Sequence, residues 1–478
     1  MMLSRMSVAI ALVFANQVYA ADNTYFDNFT PLTSSSGVRP ATSPILLSSP
    51  NFTQTIISNS LNNGISQYAP TVANAGGDGN APDMIDADPS GRYIFMPFEQ
   101  GAGGVMRIDT QDPNYNTRTT VIVTPNTTNS QGFIRGDASR FTPWGGYLTG
   151  EENLTGSGAT VASGRLFEVT NPLTATAGTG NFVQRNSVIP QVAHEGMAFD
   201  AAKNFYFVDE NLSGSVYKFT SANANATNGN DFFSAGTVSA LKVGGGLTTA
   251  SGSFSVGDEG TTLTLSGAST WVNLTGADGR AGANAAGANG FNRPEDMELL
   301  NLANGNKALI FATTAGDNDS NAATGTGHVY LNNLTTNQLS LFADSNTIDL
   351  ATGLAVGAGF QNPDNIAIDA NGNVYIVEDR NGSTDDDIWF ANDSNHDGDL
   401  LDTGEGLARW ASNGINGSEF TGLYFSKTDP NLAFVNIQHP NGGNDLTMQI
   451  TAVPEPESYA MMLAGLGLMG FVVRRRKD

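Results

Sequence analysis

The chain has 478 residues, of which 40% are hydrophobic and only 14% charged, and its formal net charge is −24. Such acidity excludes nucleic acid and anionic membranes as natural partners and favours hard divalent cations, calcium above all. There is no cysteine, which excludes disulfides, thiolate metal sites and a cysteine nucleophile. The 55 glycines, with abundant Asn, Thr and Ser, suit short strands joined by tight turns rather than a helical bundle.

Residues 1–20 read as a secretory signal. Arg5 supplies the positive start, Val8 to Phe14 the apolar stretch, and Val18-Tyr19-Ala20 the small residues before a cleavage point. Residues 21–80 are rich in Ser, Thr, Asn and Pro and predict an irregular lead-in with one or two strands.

From Ala81 a hairpin pattern recurs: an apolar strand, an Asp/Asn/Gly or Pro turn, and a second apolar strand. Asp88–Met96, Met197–Val208, Ile366–Val377 and Leu423–Val435 are four instances. Hairpins spread over so long a stretch without amphipathic helices between them predict an all-β chain folded as a β-propeller over residues 81–450. Residues 221–290 interrupt the pattern and predict a Gly/Asn-rich excursion between blades, with strands at Thr237–Val243 and Thr261–Leu265.

Acidic residues recur where the hairpins begin or end: Glu151-Glu152, His194-Glu195, Asp209-Glu210, Glu295-Asp296, Asp364, Glu378-Asp379 and Glu419. One acid at a turn is ordinarily a turn former. Several at equivalent blade positions meet at one mouth of a propeller and can hold cations there.

A different acidic pattern spans Asp393 to Glu405. Asp393, Asn395, Asp397 and Asp399 occupy positions 1, 3, 5 and 7 of an EF-hand-type loop, with Gly398 at the sharp turn. Position 12 is Gly404 rather than glutamate, and Asp402 and Glu405 are the neighbouring oxygen donors. The pattern predicts a calcium loop between blade strands that replaces the bracing disulfides would give; the alternative is a solvated acidic turn.

At the C-terminus, Val453-Pro454-Glu455-Pro456-Glu457 precedes an apolar run from Tyr459 to Val473 and the basic cluster Arg474–Lys477. The run predicts a short hydrophobic helix, below the roughly 20 residues that comfortably span a bilayer, and the basic cluster holds the tail on the cytoplasmic side. Residues 451–478 thus resemble the PEP-CTERM sorting signal of Gram-negative bacteria. That resemblance implies processing by an exosortase after transient inner-membrane attachment, and release to the cell surface or extracellular matrix. A permanent single-span anchor is the alternative.

Thr142–Glu152, His194-Glu195, Phe291–Glu295, Pro363-Asp364-Asn365, and the segment from Glu419 to Val435-Asn436-Ile437-Gln438-His439-Pro440 together resemble the PhoX-type alkaline phosphatase family. The resemblance implies a six-bladed propeller with an axial cluster of iron and calcium ions. It further implies metal ligation by Glu151, Glu195, Glu295 and Asp364, and phosphate binding by Arg293. The family has an iron-bridging cysteine where this chain has Gly150, so calcium is the expected cofactor and iron is left open. The functional expectation is an exported, calcium-binding phosphomonoesterase acting on phosphate esters outside the cytoplasm, as a monomer. A non-catalytic, calcium-stabilised surface or matrix protein on the same scaffold, or a calcium-dependent hydrolase of another ester, are the alternatives.

Overall fold

A computed structural model describes residues 24–60, 80–99, 103–124, 132–152, 163–185, 187–244, 265–274, 279–314, 327–380, 386–440 and 444–453. The signal segment, the apolar run expected to form a C-terminal helix and most of the sorting signal lie outside these residues.

Six four-stranded antiparallel blades follow one another along the chain, the third and fourth lying in one nine-stranded sheet and the sixth closed by a strand from elsewhere. The first blade comprises 86–87, 93–97, 105–109 and 119–123. The second comprises 136–141, 147–151, 166–169 and 182–184. The third runs 197–199, 205–208, 216–221 and 236–243, and the fourth 294–301, 307–313, 328–333 and 338–343. The fifth has 363–368, 374–378, 387–392 and 406–413. The sixth has 419–425, 432–438 and 446–452, and takes its fourth strand, 52–59, from the N-terminal region.

The packing shows why the strands form a closed ring. Alternate residues of a strand point to opposite faces, and here each face meets a different neighbouring blade. Phe205 and Phe207 pack against Leu148 and Leu166 of the second blade, whereas Tyr206 and Val208 pack against Leu309 and Phe311 of the fourth. Tyr375 and Val377 face the sixth blade, and Ile376 faces the fourth. Six buried apolar clusters result, one between each pair of adjacent blades. Strands covered on both faces therefore read as continuous apolar runs.

Two expectations are extended: the lead-in carries its one or two strands, 45–47 and 52–59, and the excursion holds the antiparallel pair 236–243 and 267–273. Residues 21–80 are not merely a lead-in: strand 52–59 pairs with 446–452 from Phe52↔Ala452 to Asn59↔Leu446 and so ties the start of the propeller to its end. Phe26, fully buried, packs edge-on to Trp410 at 5.7 Å between ring centroids, and its carbonyl accepts the Trp410 indole N–H at 3.1 Å. Nor is the stretch from 221 a simple excursion. Strand 236–243, the expected Thr237–Val243, is the outer strand of the third blade. Strand 267–273 then joins it to 338–343 of the fourth, which merges the two blades at their rim. Residues 261–264 lie outside the described residues. Among the described residues no helix is long and apolar enough to cross a membrane.

Phe26→Ala is expected to lower unfolding free energy by about 3–5 kcal/mol, as for other buried aromatics, in a urea titration. A loss below about 1 kcal/mol would show that the N-terminal segment is dispensable to the ring.

Candidate metal centre

Each blade starts with an antiparallel hairpin, so the first residue of its innermost strand and the last of its second strand reach the same end of the molecule. The register places Gly136 opposite Glu151, Pro363 opposite Glu378, and Glu419 opposite Gln438. Acids at both positions thus converge on one axial mouth. The inner strands carry an irregularity just there, between 136 and 139, 294 and 297, and 363 and 366. Asp137, Glu295 and Asp364 all fall in these stretches. A bulge re-aims side chains locally, and here it turns carboxylates toward the axis.

The mouth encloses a cavity of about 210 Å³ lined by Asp83, Glu99, Arg135, Asp137, Glu152, Glu195, Glu210, Arg293, Glu295, Asp379, Glu419, Gln438 and His439. Every lining residue is polar or charged. Three sets have potential ligand atoms within 4.8 Å of one another: Asp137, Glu195 and Glu210; Glu195, Glu295 and Asp364; and Glu99, Glu419 and His439.

Arg293 sits among them with its backbone in the left-handed region at φ +50°, which costs energy for a residue with a side chain. Its guanidinium donates to Glu210 (Nε to Oε1, 3.0 Å) and lies 3.4 Å from Glu295 Oε1.

Burial, then mutual repulsion, pushes Asp83, Asp137, Glu195, Asp364 and Glu419 well above the usual carboxylate range. Burial also raises Glu152, Glu210 and Glu295 to about 8, even though Arg293 opposes the shift. Asp137 Oδ1, Glu152 Oε2, Glu195 Oε2 and Glu295 Oε1 are buried without a hydrogen-bond partner. Buried carboxylate oxygens normally find donors or metal ions, so this donor set fits divalent cations.

Of the four axial ligands expected from the sequence, Glu195, Glu295 and Asp364 come together and Glu151 does not. Glu151 is fully buried on the other face of its strand. There it pairs with Arg165 (Nη2 to Oε1, 2.5 Å; Nε to Oε2, 2.8 Å) and accepts the backbone N–H groups of Ile134 and Arg165. The strand's period of two puts its neighbour Glu152 at the mouth instead. Glu152, Glu210, Asp379 and Glu419, all among the blade-end acids marked in the sequence, also line the mouth, as do Asp83, Glu99, Asp137, Arg135 and His439, which were not in that set. Asp137 falls one residue into its blade's inner strand, opposite the strand end that carries Glu151, and pairing each inner-strand start with the following strand end would have found it.

Gly150 is enclosed. A Cβ there would meet His194 Cβ at 2.3 Å. His194 is completely buried, neither ring nitrogen has a partner, and burial pushes its pKa down to about 3. The space next to Gly150 thus holds a neutral imidazole.

The 393–405 loop joins the third and fourth strands of the fifth blade, at the end opposite the acidic mouth. Asp393 accepts the N–H groups of Asp397 (3.1 Å) and Gly398 (2.9 Å), Asp397 accepts that of Asp399, and Asp399 that of Leu401. Asn395 donates to Asp402, and Glu405 accepts the N–H groups of Ser394 and Asp402. The loop is folded by these bonds, and its acids do not form a set of three with ligand atoms within 4.8 Å.

A larger cavity, about 560 Å³, opens at the other mouth. Its acids are satisfied: Asp86 accepts the N–H groups of Ala87 and Phe141, Asp88 that of Tyr93, and Glu298 pairs with Arg140 at 2.8 Å.

Residues 105–441 match the family model of the alkaline phosphatase PhoX, and residues 452–477 match the PEP-CTERM protein-sorting motif. No curated protein matches the chain. Among solved structures it is similar to Pseudomonas fluorescens PhoX in complex with vanadate, a transition-state analogue. That likeness is 16% in identity, covers 89% of this chain and 98% of the other, and has a TM-score of 0.58. Weaker likenesses include an inactive virginiamycin B lyase from Staphylococcus aureus (10% identity, 84% and 100% covered, TM-score 0.38). Another is the calcium-binding protein regucalcin from Agrobacterium tumefaciens (10%, 79% and 93%, TM-score 0.39).

Because the mouth carboxyls hold protons more tightly when folded than at their ordinary value of 4.5, stability of the metal-free chain falls as pH rises from that value through about 8. Calorimetry without divalent ions is expected to show a Tm that drops between about pH 5 and about pH 9. Added calcium should raise Tm more at the upper end, where the sites are deprotonated. A metal-free Tm that climbs over this range would contradict the assignment.

Proposed function

The chain belongs to the PhoX alkaline phosphatase family, and from that premise we propose that it is an exported, calcium-dependent phosphomonoesterase whose chemistry takes place at the acidic mouth. The observation that carries the reading is Arg293 set among convergent carboxylates, of which Asp137 and Glu195 each keep a buried oxygen with no hydrogen-bond partner. The sorting motif at 452–477 marks export and surface sorting and implies processing by an exosortase.

Asp137, Glu195, Glu210, Glu295 and Asp364 are the residues that would hold the ions. Oxygen-only donors suit hard cations such as calcium. When bound, divalent ions draw charge from phosphoryl oxygens and activate the attacking water. Arg293 supplies the cationic fork that pairs bidentately with a phosphate. Glu210 holds that fork in place before substrate arrives, so less orientational freedom is lost on binding. The same reading gives the 393–405 loop a structural calcium ion.

One observation favours a second reading, a non-catalytic calcium-stabilised surface or matrix protein. Where the family resemblance expects an iron-bridging cysteine, Gly150 offers no donor and His194 occupies the adjoining space.

Hydrolysis of p-nitrophenyl phosphate by the purified chain separates the two. Activity is expected to vanish with a chelator and return with calcium. Arg293→Ala should lower kcat/KM by roughly 10²-fold or more, with only partial rescue by Arg293→Lys. Glu151→Gln should lower Tm while sparing turnover, because its partner Arg165 stays outside the mouth. No turnover with any metal, or turnover indifferent to Arg293, would leave the non-catalytic reading.

A further inference from the structure

A cavity of about 410 Å³ lies between the third and fourth blades, at the end opposite the acidic mouth. Its walls come from the 200–204 turn of the third blade, the 334–337 turn of the fourth, and strand 267–273, which bridges the two. The Asn337 carbonyl accepts the Ser269 N–H at 2.9 Å and so ties the bridging strand to the turn. Tyr206 stands opposite Lys218 across two strands, and the Trp271 ring lies 5.7 Å from that of Tyr206.

The charges in this cavity are unusual for the chain. Asp and Glu number 46 against 22 Lys and Arg, and Arg140, Arg165, Arg185 and Arg409 all have carboxylate partners. Lys218 and Lys307 both line the cavity, yet among the described residues neither is ion-paired. Lys218 Nζ sits 4.8 Å from the centroid of the Trp271 ring, and Lys307 Nζ donates to Asn301 Oδ1. The acid nearby, Asp200, already accepts the backbone N–H and side-chain amide of Asn204 and the Tyr206 hydroxyl. Lys218 is half-buried, and burial lowers its pKa. A half-buried ammonium without an anion is costly, and an anionic ligand would offset that cost.

The walls specify the anion further. The half-buried Trp271 and Leu334 give the cavity an apolar side, and the exposed Asn337 brings an amide to its edge. Ligand clefts of this size are ordinarily built so, from an aromatic wall and a few placed polar groups. An indole takes the C–H face of a pyranose, an amide bonds its hydroxyls, and ammonium groups bond a carboxylate. Inorganic phosphate would leave the apolar wall unused. We infer that this inter-blade cavity binds the uronate units of an acidic polysaccharide, with Lys218 and Lys307 on the carboxylate and Trp271 against the sugar ring. The site is remote from the mouth and independent of the phosphatase reading, and surface sorting brings such polymers within reach.

Trigalacturonate is the probe. It is titrated into the full chain by calorimetry and by tryptophan fluorescence, in buffer without free calcium, which would bridge uronate to the acidic mouth. Saturable binding is expected, with a fluorescence change that is absent in Trp271→Ala, since Trp389 and Trp410 are fully buried. Maltotriose and inorganic phosphate should bind at least about tenfold more weakly, and affinity for trigalacturonate should fall with added salt. Trp271→Ala and Lys218→Gln should each lower affinity by about tenfold or more. Lys218→Arg should retain most of it and Arg293→Ala should leave it unchanged, with circular dichroism and Tm showing that each variant is folded. No binding by the intact chain, equal affinity for maltotriose or phosphate, affinity unaltered in folded Trp271→Ala and Lys218→Gln, or affinity lost in Arg293→Ala would overturn the assignment.

Discussion

Mutual repulsion among buried carboxylates at one mouth is the constraint on which the rest of this molecule depends. Asp83, Asp137, Glu195, Glu295 and Glu419 are each nearly or fully buried and Asp364 is half-buried, and the cations lining the same cavity are Arg135, Arg293 and, when protonated, His439. Left without ions, such groups keep protons, because burial first and repulsion second raise their affinity for them. Cations resolve the conflict differently, and folding and metal occupancy are then coupled. The ring must hold the acids together until that happens. Six inter-blade clusters and the 52–59 strand supply the restraint, in a chain that has no disulfide to do so.

The same residue type has two fates along each inner hairpin. At the turn end, Asp88, Asp200 and Asp369 accept backbone N–H groups from Tyr93, Asn204 and Asn373. These acids shape the turn and have no further task. At the open end, Asp137 and Glu195 keep an oxygen without any donor. An acid's partner, rather than its presence, separates scaffold from site. By this criterion the larger cavity at the turn end is the hollow of the channel, and the smaller one carries the chemistry.

The hairpins at Met197–Val208 and Ile366–Val377 were legible because apolar runs broken by Asp/Asn/Gly turns have few other solutions. Glu195, Glu295 and Asp364 were legible as blade openings. Glu151 was misplaced because two adjacent acids at a strand end look alike in sequence, and only the register, with Gly136 opposite Glu151, decides which faces the axis. Strand 52–59 was hidden for a different reason. Its sequence, Phe-Thr-Gln-Thr-Ile-Ile-Ser-Asn, alternates weakly, and its partner lies nearly 400 residues away, so no local signal marks it as the closing strand.

Gly150 and His194 bear on what the mouth can bind. The steric fact is local: with a Cβ at position 150 the His194 side chain could not stay where it is. His194 is moreover held neutral by burial, and it packs on Phe207 at 5.6 Å rather than lining the cavity. Neither residue contributes a donor to the mouth, so the wall formed by the second to fifth blades is left with carboxylates alone. A hard ion matches that wall. The remaining nitrogen donor stands across the opening at the end of strand 432–438, next to the buried Gln438. The small residue at 150 therefore makes room for a buried imidazole, and His439 is left as the imidazole that lines the mouth.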